Sequence, residues 1–180
     1  MRKFKKKRSK FLTKALSGDA LAQFCVGKTF LPNVFMQNDP SRACRNEDET
    51  LSWFSKAAQK GLLDAMYFKA LGLYSKDAEQ SIALFRQAAG AGHTLSMSFL
   101  GGALAEGYGI PKNEIQALFW LNIAASRKSD MRNAIVIQRD NVEQRLSREE
   151  VSVAQKLSTS WKPKTKQGKL VFQSQEVDCE

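Results

Sequence analysis

Apolar residues recur at helical spacing along most of the chain, and the helical segments come in pairs. The pattern predicts a first helix over 14–30 and a loop over 31–46, where two prolines and three asparagines interrupt it. Capping side chains predict where later helices begin. These caps are Asn46 with Glu49, Asp77 with Gln80, Asn113, and Ser147 with Glu150.

The second helices of three successive pairs align without gaps. Each carries two rows of large apolar residues and ends in an alanine pair, so each is expected to pack on more than one side, as in a solenoid. The alanines permit close approach and the large side chains supply buried area. The aligned residues are Trp53, Leu84 and Trp120; Phe54, Phe85 and Leu121; and the pairs Ala57 and Ala58, Ala88 and Ala89, Ala124 and Ala125.

The first helices align as well. A glycine precedes each of them, and small residues recur inside them at matched positions, which predicts close helix packing. The preceding glycines are Gly18, Gly61 and Gly92, and the matched inner residues are Gly27, Ala70 and Gly101. A glycine-rich turn that contains Gly107 and Gly109 joins the helices of the third pair.

This pattern resembles the Sel-one-like repeat, a short relative of the tetratricopeptide repeat. The third pair matches it best, through Gly101, Gly107, Gly109, Trp120 and the alanine pair. The stretch Leu-Ser-x-Glu-Glu and the helix that ends at Trp161 resemble the ending of bacterial members. The resemblance implies an all-α, right-handed solenoid with repeats at about 14–60, 61–91 and 92–128 and capping helices at 129–161. It also implies a non-enzymatic adaptor or scaffold that binds a protein or peptide on the concave face.

Charge is unevenly distributed along the 180 residues. The formal net charge is +10, and residues 1–10 alone carry seven Lys or Arg and no acid. We expect residues 1–13 and 162–180 to be flexible tails. Two roles stay open for the basic tail: a solvated end, or a weak contact with nucleic acid or ribosomes through residues 2–10. No apolar run suggests a signal peptide or membrane span, so a cytoplasmic location is expected.

The sequence offers no constellation for catalysis, a metal or a cofactor. His93 is the single histidine, and the three cysteines, Cys25, Cys44 and Cys179, have no ligand spacing. An odd number of scattered cysteines is typical of a reducing compartment. We therefore expect no enzyme activity, no cofactor and no metal.

The candidate binding residues lie on the face of the first helices that is opposite the predicted core. This face is largely apolar at helical spacing, and first helices usually line the concave surface of such solenoids. The alternative is that neighbouring second helices bury it. The face comprises Leu21, Cys25, Lys28, Phe68, Leu71, Leu95 and Phe99, and the first turn adds Phe35 and Met36.

Overall fold

The computed structural model describes residues 12–30 and 40–164, and every regular element in those ranges is a helix. A short helical segment over 12–16 comes first. The helices that follow are α1 Ala20–Phe30, α2 Pro40–Gln59, α3 Leu63–Leu73, α4 Ala78–Gly90, α5 Thr94–Glu106, α6 Glu114–Ala125, α7 Arg132–Glu143 and α8 Arg148–Ser160. The predicted all-α class is confirmed.

Two expected boundaries near the N-terminus are wrong. The helix predicted over 14–30 is interrupted at 17–19, because Gly18 adopts a left-handed conformation with φ of +95°. Residues 12 and 13, which the charge pattern assigns to the tail, are already helical. The segment 12–16 and α1 are therefore separate pieces.

The start of α2 also differs from the prediction. The sequence predicts Asn46 as the cap of this helix, but the helix begins at Pro40 and Asn46 lies inside it. Proline is well tolerated at the first helical position, since its missing N–H would have no partner there and its φ already suits a helix. Pro40 is thus a helix-starting proline and not a loop residue.

The other predicted caps are confirmed. Asp77 accepts a hydrogen bond from the backbone N–H of Gln80, and Asn113 accepts one from Gln116, both at 2.9 Å. Ser147 and Glu150 form a reciprocal capping box at the start of α8. These side chains satisfy N–H groups that a helix leaves without partners in its first turn.

The described helices belong to two compact units, of which unit 1 ends at Gly72 and unit 2 begins at Leu73. In unit 1, α1 packs against α2. Ala15, Ala22, Val26 and Trp53 form one buried cluster there. Gly27 lets the two helices approach, because a Cβ atom at this position would lie 2.7 Å from the ring of Phe54.

Unit 2 is built around α6, which packs against α5, α7 and α8, while α4 packs against α5. Its fully buried large apolar side chains come from α4 to α7 and include Phe85 and Leu121 from one of the predicted rows. They are Phe85, Met97, Leu100, Leu118, Leu121, Ile135 and Val142. The alanine pairs Ala88 and Ala89, and Ala124 and Ala125, are buried as well. One predicted row and the alanine pairs therefore form the core of this unit, whereas Leu84 and Trp120 of the other row are half-buried.

The two C-terminal helices pack on the last repeat as predicted, but two side chains are more exposed than expected. Helical spacing predicts one inner face of α8 that includes Ala154 and Leu157. Ala154 is buried as predicted, but Leu157 is 51% exposed. Trp120 is half-buried, unlike Trp53, which is buried. One edge of Trp120 meets Trp161, with ring centroids 5.9 Å apart, so Trp161 at the end of α8 contributes to its cover.

Candidate protein-binding surface

In unit 1, the predicted binding residues of α1 do not form one exposed face. Leu21 and Lys28 are exposed, and the Lys28 ammonium group lies 5.7 Å from the centre of the Phe24 ring. Cys25 is only 2% exposed and is disulfide-bonded. Its assignment to a binding surface is therefore wrong, and the odd cysteine count did not predict the bond.

Phe68 and Leu71 of α3 are half-buried. The Phe68 ring lies 5.6 Å from the ring of Phe24 and 5.4 Å from that of Phe54, and Tyr67 meets it edge-on. Burial raises the pKa of Tyr67 above its usual value. Phe68 thus contributes to the core of unit 1. Phe35 and Met36 lie outside the described residues.

Unit 2 carries an exposed aromatic surface that consists of Tyr74, Phe99 and Tyr108. Phe99 is 37% exposed, and its ring stacks on the buried ring of Phe85 at 5.2 Å with an interplanar angle of 18°. Tyr74 meets Phe99 edge-on at 6.4 Å and 89°. Tyr108 is 39% exposed and stacks on Tyr74, with ring centroids 4.3 Å apart. Such stacked and edge-on pairs hold aromatic rings in defined positions.

The glycine-rich turn of the third pair positions Tyr108. The flanking residues Gly107 and Gly109 have φ of +76° and +64°, a region that favours glycine. A Cβ atom at Gly109 would lie 2.9 Å from the Cβ of Ala78, so this turn approaches α4 closely. The Tyr108 hydroxyl then donates to the carbonyl oxygen of Tyr74 at 2.8 Å. The turn therefore fixes the backbone of Tyr108 and this hydrogen bond fixes its hydroxyl, although the side chain is 39% exposed.

Polar groups lie beside the aromatic surface along α5. Leu95, one turn before Phe99, is half-buried. Ser98 donates to Gln138 of α7 at 3.0 Å, and Gly102 leaves room for the Gln138 side chain, since a Cβ atom at Gly102 would collide with its Nε2. Burial and the neighbouring Tyr108 raise the pKa of Tyr74, so the Tyr74 hydroxyl is neutral at pH 7.

An ion-pair cluster closes the far end of α5. Arg145, which follows α7, contacts Glu106 at 3.3 Å and Glu114 at 3.0 Å, and Lys112 contacts Glu114 at 3.0 Å. The charges of this cluster are mutually paired, and the exposed pairs among them contribute little to stability. An apolar centre with a polar border is the usual composition of a protein-binding surface.

The single histidine has a structural position. His93 is buried and precedes α5, where its Nδ1 accepts a hydrogen bond from the backbone N–H of Ser96 at 3.2 Å. Within residues 12–30 and 40–164, no group of three or more His, Cys, Asp or Glu residues could hold a metal ion. In the same ranges, none of the helices has the length and apolarity needed to cross a membrane.

The helix pairs match a known repeat family. A family model for the Sel1 repeat matches residues 45–62, 65–93 and 94–129. These three segments are Sel1 repeats. The first match covers most of α2, the second covers most of α3 and all of α4, and the third covers α5 and α6. Sel1 repeats form a scaffold fold, and proteins that contain them generally mediate protein–protein interactions.

Solved structures support the same fold. An SLR-fold protective antigen present in uropathogenic Escherichia coli strains has 26% sequence identity and a TM-score of 0.72, over 84% of this chain and 31% of that chain. This chain thus spans about a third of that protein's length. A Sel1 repeat protein from Oxalobacter formigenes has 23% identity and a TM-score of 0.58, over 74% of this chain and 96% of that one. The predicted solenoid class is confirmed. No curated protein matches the sequence.

The sequence pattern predicted Phe99 and Leu95 as candidate binding residues but did not predict Tyr74 and Tyr108. Both tyrosines lie in connections between helices, where helical periodicity carries no information. The sequence feature that could have indicated Tyr108 is its position between two glycines, residues 107–109, in the turn of the third Sel1 repeat. An aromatic residue in a turn that must pack closely on its neighbour is a candidate for an exposed, fixed ring.

Proposed function

We propose that this chain is a non-enzymatic adaptor that binds a protein or peptide, and that the aromatic surface of unit 2 is a contact site. The observation that carries the proposal is the pair of exposed, fixed rings of Phe99 and Tyr108. Aromatic residues lose little conformational entropy on binding and dominate the energy of many interfaces. Tyr74 and Phe85 hold these rings in place before a partner arrives.

The border of this surface suits a peptide backbone. Ser98 directly precedes Phe99 in α5 and donates a hydrogen bond to the side-chain amide of Gln138. The Gln138 side chain extends from α7 over Gly102. Side chains of this kind can donate to and accept from main-chain groups. An apolar side chain of the partner would therefore occupy the aromatic surface, while its backbone would contact the polar border.

The test is capture of partners from native lysate by the tagged chain, quantified by mass spectrometry. Tyr108→Ser removes an exposed ring, and we expect it to reduce capture of at least one enriched protein by about tenfold or more. Tyr108→Phe keeps the stack on Tyr74 and should retain most of the capture. Equal capture of every enriched protein by wild type and Tyr108→Ser would contradict the proposal.

A matched control comes from the same unit. Leu157 is 51% exposed on α8, and Leu157→Ser removes an exposed apolar side chain outside the aromatic surface. We expect this variant to capture the same proteins as wild type. Thermal melts of all variants establish whether a loss of capture follows from unfolding.

Nucleic-acid binding through residues 2–10 stays a prediction. These residues lie outside the described part of the chain, and their support is the run of Lys and Arg in the sequence.

A further inference from the structure

The Gln138 amide is a hydrogen-bond donor at the polar border of the aromatic surface. Its Oε1 accepts from Ser98, and within the described residues its Nε2 donates to no acceptor. Since Nε2 is also not one of the buried unpaired atoms in those residues, it is accessible to solvent. It lies over Gly102, one turn after Phe99 in α5. An acceptor that binds beside Phe99 can therefore reach this amide.

The Tyr74 hydroxyl is a second donor. The proton of the Tyr108 hydroxyl is already used, because it is donated to the carbonyl oxygen of Tyr74 at 2.8 Å. The Tyr74 hydroxyl itself makes no hydrogen bond to the described residues and is not a buried atom. Burial of the ring and the neighbouring Tyr108 raise its pKa, so the hydroxyl keeps its proton at neutral pH. An amide donor and a hydroxyl donor therefore accompany the exposed rings.

The side chains of the aromatic surface and its border are uncharged. They are Tyr74, Leu95, Ser98, Phe99, Tyr108 and Gln138. The carboxylates of the cluster at the end of α5, Glu106 and Glu114, are paired with Arg145. A charged side chain of a partner would lose hydration on the rings without gaining a counter-ion. The segment that matches this surface is therefore uncharged, apolar and rich in hydrogen-bond acceptors.

We propose that this surface binds a proline-rich segment in the polyproline II conformation, an inference that rests on the proposed function and specifies its partner. Proline has no backbone N–H, and a polyproline II segment has no internal hydrogen bonds, so its carbonyl groups are unpaired acceptors. Two of these carbonyls would accept from Gln138 Nε2 and from the Tyr74 hydroxyl. Proline rings would pack on the exposed parts of Phe99 and Tyr108, in the way that aromatic-lined surfaces bind such segments.

Other peptide conformations match this surface less well. The backbone carbonyls of a helical partner are paired within its own helix and are poor acceptors for Gln138 or Tyr74. An extended segment without proline also brings N–H groups that need acceptors, yet Gln138 Oε1 already accepts from Ser98. A polyproline II segment is preformed as well, and so it loses less conformational entropy when it binds the fixed rings.

The experiment is selection of phage-displayed random peptides of about nine residues, three turns of a polyproline II helix, on the full chain. Tyr108→Ser serves as the parallel target. We expect the peptides that are enriched on wild type but not on Tyr108→Ser to carry prolines at three-residue spacing. The most enriched of them, labelled with fluorescein, should bind wild type about tenfold more tightly than the same peptide with alanine in place of each proline.

Two variants test the donors by fluorescence anisotropy with the labelled peptide. Gln138→Glu keeps an acceptor for Ser98 but loses the amide N–H groups, and Tyr74→Phe keeps the ring but loses the hydroxyl. Each should weaken binding by about threefold or more. Leu157→Gln replaces an exposed side chain on α8 and is the matched control, which should bind as wild type does. Thermal melts establish that the variants remain folded.

The possible failures are distinguishable from one another. Tyr108-dependent peptides without an excess of proline would overturn the inference and leave the proposed function standing. The absence of any Tyr108-dependent peptide would overturn it too, and capture from lysate then decides the proposed function separately. Proline-rich peptides that bind Tyr74→Phe and Gln138→Glu as tightly as wild type would also overturn it, because the two donors would then have no part in recognition.

Discussion

Gly101 lies at a close contact between α5 and α6. A Cβ atom there would lie 2.7 Å from Leu121 Cγ and 3.2 Å from the carbonyl oxygen of Ala117. We expect Gly101→Ala to lower the free energy of unfolding by about 1–3 kcal/mol, because the buried Leu121 must shift. Chemical denaturation measures this change.

Gly90 is the control for that substitution. It ends α4, and a Cβ atom there would meet nothing within 4 Å. Gly90→Ala should be neutral or stabilise by up to about 1 kcal/mol through helix propensity. If the two variants unfold at the same denaturant concentration, close packing at Gly101 is refuted.

Glu150 provides a test at the level of one titrating group. Its hydrogen bonds with the Ser147 backbone N–H and with the Ser147 side chain lower its pKa. A lowered folded-state pKa stabilises the protein above the unfolded-state pKa, and this stabilisation is lost as pH falls through the folded-state value. Carboxyl titration by NMR should show the pKa rising in Ser147→Ala and staying low in Ser147→Thr. Because the backbone N–H of residue 147 is retained, the rise should be partial, and an unchanged Glu150 pKa in Ser147→Ala would show that the Ser147 side chain does not lower it.

Some residue-level errors have a clear physical origin. Helical spacing places Cys25 on the binding face because it stands four residues after Leu21, yet one helical face can be half exposed and half covered when helices cross at an angle. Periodicity determines which residues share a face, but not how far along that face a neighbouring helix extends. The burial of Cys25 beside the exposure of Leu21 shows this limit.

At the scale of helices, the end of α8 is anchored by Trp161. Its ring meets Trp120 edge-on and lies 5.6 Å from the Arg127 guanidinium group, which donates to the carbonyl oxygen of Gly92 at 2.8 Å. We expect Trp161→Ala to lower the free energy of unfolding by about 2 kcal/mol, less than for a fully buried tryptophan.

The comparison for Trp161 is Leu157, one turn earlier on the same helix. Because Leu157 is largely exposed, Leu157→Ala should change stability by no more than about 0.5 kcal/mol. Urea unfolding curves of both variants distinguish the two positions. Equal effects would show that Trp161 does not anchor α8.

Most helices were predictable because their caps and periodicity agree. Asp77, Asn113 and Ser147 mark the starts of α4, α6 and α8 as expected. The start of α2 was not predictable, because Pro40 can either interrupt or begin a helix and its local sequence does not decide between these. The packing of Tyr108 on Tyr74 was missed because it joins two turns that are 34 residues apart.

At the scale of the whole molecule, the repeats and the basic N-terminus are separate features. Deletion of residues 1–10 lowers the formal charge from +10 by seven, to +3. We expect the melting temperature and helix content to stay nearly constant, since those residues lack apolar periodicity. A circular dichroism melt is the measurement, and a large fall in melting temperature would show that the basic residues stabilise the repeats.

The central claim is that partners contact the aromatic surface of unit 2. The most direct measurement is photo-crosslinking in native lysate, with benzoylphenylalanine placed either at Tyr108 or, as a control, at Leu157. The claim predicts a discrete crosslinked partner from position 108 and none of that species from position 157. Crosslinking of the same species from both positions, or from position 157 alone, would contradict it.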